Sequence, residues 1–110
     1  MVILAIGVRP ETSLAKTAGP GIGERGGIRV DDQMRTNDPH IWAVGDAVEI
    51  HDMITGQPTV IPLAGPANRQ DRVAADVING RPKRFRGIQG TAECGVFGLP
   101  PGRTILSRQV

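Results

Sequence analysis

The chain has 110 residues, with 13 Lys/Arg against 11 Asp/Glu for a net charge of +2, one Cys and two His, a size that suits one small domain and not two. A single thiol excludes a disulfide framework, and with two widely spaced His it leaves no Cys/His zinc cluster. No apolar run nears the roughly 18 residues needed to cross a membrane, and the opening residues lack a basic leader, so a cytoplasmic location is the expectation.

Residues 1–6 are continuously apolar and stop at Gly7, which predicts a buried parallel strand. Arg9-Pro10-Glu11 predicts the start of a short helix, with Pro in its first turn and Gly19-Pro20 as its stop. The Gly-rich residues 20–27 read as loop. Ile28 and Val30 alternate around Arg29 as a half-buried strand, Asp31-Asp32-Gln33 turns, and residues 34–36 supply the returning strand of that hairpin. Asn37-Asp38-Pro39 is a second turn before Ile41-Trp42-Ala43-Val44, a second buried strand closed by Gly45-Asp46. Residues 49–59 carry no regular pattern beyond a turn at Thr55-Gly56-Gln57-Pro58.

The clearest helix is expected over 67–79, with Gly65 as cap, Pro66 in the first helical position and Asn79-Gly80 at its end. Val73 with Val77 and Ala74 with Ile78 form its apolar face, while Arg72 and Asp76 face solvent. A terminal strand is expected at 92–97, and Leu99-Pro100-Pro101-Gly102 ends regular structure. These elements belong to an α/β fold. They are too few for a complete nucleotide-binding sheet, so the chain reads as part of a larger α/β domain.

The charge is uneven. Residues 1–80 hold 7 Lys/Arg against 10 Asp/Glu, whereas residues 81–110 hold 6 against Glu93 alone. Arg81-Pro82-Lys83-Arg84-Phe85-Arg86 is read as a solvated connector; contact with phosphates or an acidic partner is the alternative, and nucleic acid is not the expected partner.

The strongest local feature is Ile41-Trp42-Ala43-Val44-Gly45-Asp46-Ala47. Gly45 lets a ligand approach the backbone, and Asp46 stands at the carboxyl end of the expected strand, where ligands bind in open α/β sheets. Its carboxylate is suited to accept hydrogen bonds from sugar or ribitol hydroxyls; a turn cap is the structural alternative.

Residues 37–47 resemble the second flavin-binding motif of the FAD-dependent pyridine nucleotide–disulfide oxidoreductases. Leu4-Ala5-Ile6-Gly7-Val8-Arg9-Pro10 resembles the segment where the NAD(P)-binding insert returns to the FAD domain in that family. Ile61-Pro62-Leu63-Ala64-Gly65-Pro66-Ala67-Asn68-Arg69-Gln70 is similar to the branch with coenzyme A–disulfide reductases and NADH oxidases or peroxidases. The three motifs occur in family order and cover roughly residues 2–98.

The resemblance implies a partial FAD/NAD(P)-binding Rossmann-like domain. It places the C-terminal part of the FAD-binding domain at 1–87 and the truncated start of the dimer-interface domain, with a divergent tail, at 88–110. It implies that Asp46 holds the ribitol of FAD and that Gly45 leaves room near the pyrophosphate. Backbone amides around Leu63, Ala64 and Gly65, at a helix start that favours negative charge, would face the flavin pyrimidine edge. FAD would have a partial site here, with NAD(P)H the reductant of the parent enzyme. A homo-oligomer, or missing segments of the parent enzyme, would be the partners.

The sequence also departs from that family. No G-x-G-x-x-G opens a helix after a strand, and Pro20 argues against a phosphate cradle in Gly19-Pro20-Gly21-Ile22-Gly23. Cys94 lies far from the family's redox position and is read as a buried structural thiol. His40 and His51 are read as surface loop residues. Arg69 has two readings, a phosphate or neighbouring-domain contact and a solvent-facing salt bridge. From Gly98 the match dissolves, so a shortened or frame-altered gene product, or an engineered piece, is expected. The leading expectation is a fragment of an FAD-dependent NAD(P)H oxidoreductase, without catalytic residues of its own and inactive alone. The alternative is a non-catalytic oligomerising module.

Overall fold

Val48 and Ile50 lie on one extended segment, are only 2% and 4% exposed, and form the centre of the fold. The computed structural model describes residues 1–95, 97–99 and 102–104. Its elements run α1 (Ser13–Ala18), β1 (Ile28–Arg29), β2 (Val48–His51), β3 (Pro58–Thr59), α2 (Ala64–Ile78), β4 (Thr91–Glu93) and β5 (Gly102–Thr104). β2 is the middle of a three-stranded sheet in the order β1-β2-β3. It is parallel to β1, with Ile28 opposite Val48, and antiparallel to β3, with Ile50 opposite Thr59. β4 and β5 form a separate antiparallel pair. The architecture is mixed α/β with a partial Rossmann-like sheet.

The core joins distant segments. Met34, Val48, Ile50, Ala74 and Phe85 are buried together, with Ile28, Val30, Trp42, Ala43, Val73 and Ile88 packed around them. Such burial contributes about 1.5–3 kcal/mol for each fully buried large apolar side chain. Gly27 sits where the loop 20–27 crosses β2. A Cβ there would meet the Glu49 nitrogen at 2.7 Å, so only glycine allows the approach.

Several expectations need correction. Residues 1–6 are not a buried strand: Val2, Ile3, Leu4 and Ile6 are 76–86% exposed, and among the described residues no strand pairs with them. An apolar run forms a buried strand only where neighbouring strands and covering layers meet it, and this sheet supplies none beside it. α1 begins at Ser13, beyond Pro10, where the Glu11 carboxylate accepts the Ser13 amide at 2.7 Å. Its stop at Gly19 is as expected, with Gly19 in the left-handed region.

The expected hairpin of 28–36 is redirected. Its turn exists, with the Asp31 amide bonded to the Arg35 carbonyl. β1, however, takes β2 as its parallel partner, and the returning segment pairs with the next one, through the Arg35–Trp42 bridge. The segment 41–44 is therefore not a buried strand: it forms that one bridge, with 41–43 half-buried and Val44 37% exposed. The strand expected there occurs instead at Val48–His51, inside the stretch read as irregular. Glu49 obscured its pattern, because this carboxylate is buried and accepts the Arg25 amide at 2.7 Å.

α2 starts at Ala64 with Leu63 as its N-cap, so Gly65 is helical and Pro66 falls inside the first turn. Pro is tolerated there because the first-turn amides have no partner within the helix. Ala74 lies in the core but Ile78 is 59% exposed. Asp76 does not simply face water; it pairs with Arg81 at 3.2 Å and Lys83 at 3.6 Å. Cys94 is exposed rather than buried, because it follows β4, whose residues are all exposed. Gly102 does not end regular structure, since β5 begins at it. The consecutive prolines and residues 105–110 lie outside the described residues, as does part of the strand expected at 92–97.

Candidate functional site

The Gly45-Asp46-Ala47 turn leads directly into β2. Gly45 adopts φ 93°, a left-handed conformation open to glycine and costly for a branched side chain. Its amide donates to Oε1 of Gln70 at 2.7 Å. The Ala47 carbonyl accepts the Ile28 amide at 2.8 Å, which fixes the far side of the turn on β1. Asp46 therefore stands at the entry of β2, not at the carboxyl end of a strand over 41–44. It is exposed and forms no hydrogen bond or ion pair among the described residues.

α2 presents the second group of expected residues. Its N-cap Leu63 has φ −136° and ψ 137°, no side chain caps the helix, and no acidic residue lies in the first turn. Free amides and the helix dipole make this end attractive to negative charge. Ala64 and Gly65 are exposed, and no atom lies within 4 Å of where a Gly65 Cβ would be. The helix start opens on a cavity of about 550 Å³ whose lining includes Leu63, Gly65, Arg69, Gly87 and Glu93. Arg69 is exposed and adds a cation to this rim. It forms no ion pair among the described residues, which removes the salt-bridge reading for it.

The structure thus brings Leu63, Ala64 and Gly65 together at one cavity, and joins Gly45 and Asp46 to the same helix further along. Gln70 makes that junction, and no sequence motif had assigned it a role. One signal pointed to it: Gln70 precedes Ala74 by four and Val73 by three, so a polar side chain lies on the apolar stripe. His40 and His51 are exposed, as expected, although His51 belongs to β2 and not to a loop. Asp52 is buried for structural reasons, accepting the Ile54 and Thr55 amides at 2.9 and 2.8 Å. Among the described residues no three His, Cys, Asp or Glu gather as for a metal ion, and no helix is long and apolar enough to cross a membrane.

Residues 1–70 match the family model described as pyridine nucleotide-disulphide oxidoreductase. An NADH oxidase of Methanocaldococcus jannaschii is 43% identical over 107 residues, 97% of this chain and 24% of that protein. The NAD(P)H coenzyme A polysulfide/persulfide reductase of Pyrococcus horikoshii is 37% identical over the same shares. Among solved structures, the reduced CoADR-RHD of Bacillus anthracis superposes with a TM-score of 0.87 at 51% identity, covering 94% of this chain and 19% of that one. The chain spans about a quarter of the length of the curated relatives it matches.

Proposed function

The chain belongs to the pyridine nucleotide-disulphide oxidoreductase family, and from that premise we propose that it contributes part of the flavin site of an FAD-dependent NAD(P)H oxidoreductase. The observation that carries this reading is the start of α2: uncapped, free of acidic residues and open to a cavity of about 550 Å³. The residues present suit the cofactor's ring and sugar. Asp46, exposed and without a partner among the described residues, would accept hydrogen bonds from ribitol hydroxyls, and Gly45 would keep the approach to the pyrophosphate clear. The amides around Leu63, Ala64 and Gly65 would hold the pyrimidine edge and favour negative charge there. FAD, when bound, supplies hydride and electron transfer from NAD(P)H, chemistry that belongs to the cofactor itself.

In this reading residues 1–87 are the C-terminal part of an FAD-binding domain and residues 88–110 the start of a dimerisation domain. The chain provides no catalytic residue and does not turn over alone. Titration with FAD, followed by flavin fluorescence, tests the site. Asp46→Ala is expected to weaken binding about tenfold or more, the value of a hydrogen bond to a charged group. Equal affinity of the two proteins overturns the reading, and steady NADH oxidation by the isolated chain overturns its inactivity.

A second reading, a non-catalytic oligomerising module, is favoured by the exposed apolar residues 1–8. Surface of that kind marks an interaction site. Light scattering after size-exclusion chromatography separates the two, since a monodisperse monomer excludes the oligomer.

A further inference from the structure

We infer that Gln70 is a positioning residue that holds the Asp46 turn on α2, and the inference rests on the flavin-site reading above for what that turn meets. Gln70 is 1% exposed, the most deeply buried polar side chain of the described residues. Burying a carboxamide is unfavourable unless it is hydrogen-bonded, so its presence on the apolar stripe beside Ala74 needs a compensating contact. That contact is the Gly45 amide, 2.7 Å from Oε1 and twenty-five residues away in sequence.

Gly45 needs such a partner. In the left-handed region it is the most pliable residue of the turn, and among the described residues its own carbonyl accepts only a 3.4 Å bond from the Val48 amide. Fixing its amide anchors the Val44–Gly45 peptide plane, and because the Ala47 carbonyl accepts the Ile28 amide at 2.8 Å, the short segment that carries Asp46 is held on both sides. Gln70 lies six residues after Ala64, the first residue of α2. At about 1.5 Å per residue, that puts the latch roughly 9 Å from the helix start. The backbone of the Asp46 turn and the first-turn amides are thereby both anchored on one helix. Gln70 is buried beneath the turn, so its effect on a cofactor runs through Asp46.

The test combines amide exchange with a double-mutant cycle. Without flavin, Gln70→Met, similar in length but without a strong acceptor, is expected to speed Gly45 amide exchange about tenfold while leaving the Ala74 amide unchanged. Gln70→Glu keeps an acceptor oxygen and is expected to keep Gly45 protected. With FAD, Gln70→Met is expected to weaken binding about fivefold in the wild-type background and not at all in Asp46→Ala, because coupled residues are non-additive. Unchanged Gly45 exchange in Gln70→Met overturns the latch, and an equal loss of affinity in both backgrounds overturns its action through Asp46. An Asp46→Ala variant that binds FAD like wild type instead overturns the flavin-site reading, leaving the exchange result to decide the latch.

Discussion

Arg84 and Asp32, fifty-two residues apart in sequence, meet with Nη1 2.6 Å from Oδ2. The neighbouring Phe85 amide donates to the Asp32 carbonyl at the same distance, and the Phe85 ring is buried in the core. The basic stretch at 81–86 is solvated as expected except for Phe85, and four of its residues hold it to the fold, Arg81 and Lys83 on Asp76 and Arg84 and Phe85 on Asp32.

Packing and charge make unequal contributions to that attachment. The Arg84 and Asp32 side chains are 71% and 45% exposed, so their pairing contributes about 0–1 kcal/mol and weakens with salt. Phe85→Ala is expected to cost about 3–5 kcal/mol. Urea denaturation of Asp32→Asn and Phe85→Ala should show a small, salt-sensitive shift for the first and a large, salt-insensitive one for the second.

Met34 carries an unusual combination of features. It adopts φ 62° at the exit of the Asp31 turn and is 1% exposed. Its amide donates to the Asp31 carbonyl at 3.1 Å, and a left-handed residue after such a turn is a place where glycine is usual. Met34→Ala is expected to lose about 2–5 kcal/mol of core packing. Met34→Gly loses the same side chain but relieves the backbone, so it should be at least as stable as Met34→Ala, the reverse of the normal order. Thermal denaturation of both variants measures the sign.

The Thr55 amide, aided by the Ile54 amide and the Thr55 hydroxyl against the opposing effect of burial, holds the Asp52 carboxyl below the usual carboxylate range. A lowered folded-state pKa gives stability that is complete above the unfolded value of about 3.9 and is lost as pH falls through the folded one. Asp52→Asn should therefore be less stable than wild type at pH 7. The gap should close as the acid limb is followed down toward pH 2, in denaturation midpoints measured side by side.

Ile3 and Ile6 are 76% and 86% exposed, and the oligomerising reading takes them as part of the associating surface. The double substitution Ile3→Lys/Ile6→Lys should lower light scattering and binding of a hydrophobic dye, with no loss of secondary structure by circular dichroism. A fall in secondary structure would mean that these residues pack against the fold.

The sequence was most informative where a signal was local. The α2 stripe of Val73, Ala74 and Val77, the turn at Asp31 and the stop at Gly19 are all where residue pattern and turn chemistry place them. It was least informative where a neighbour decides. Residues 1–6 have the composition of a buried strand, yet burial depends on other strands and not on the run itself. β2 was hidden because Glu49 is a buried carboxylate, stabilised by an amide twenty-four residues earlier. For the candidate site, Asp46 and the helix start were legible as motifs, whereas their connection through Gln70 exists only in three dimensions.

The closing of the core by Phe85 bears on how the chain is made. Met34, Val48, Ile50 and Ala74 all leave the ribosome before their covering ring does. At about 5–20 residues per second, the interval between synthesis of Met34 and Phe85 is roughly 3–10 s. Through that interval the nascent chain exposes an uncovered apolar floor. A transcript ending just short of residue 85 would leave it open permanently, a substrate for chaperones and proteases.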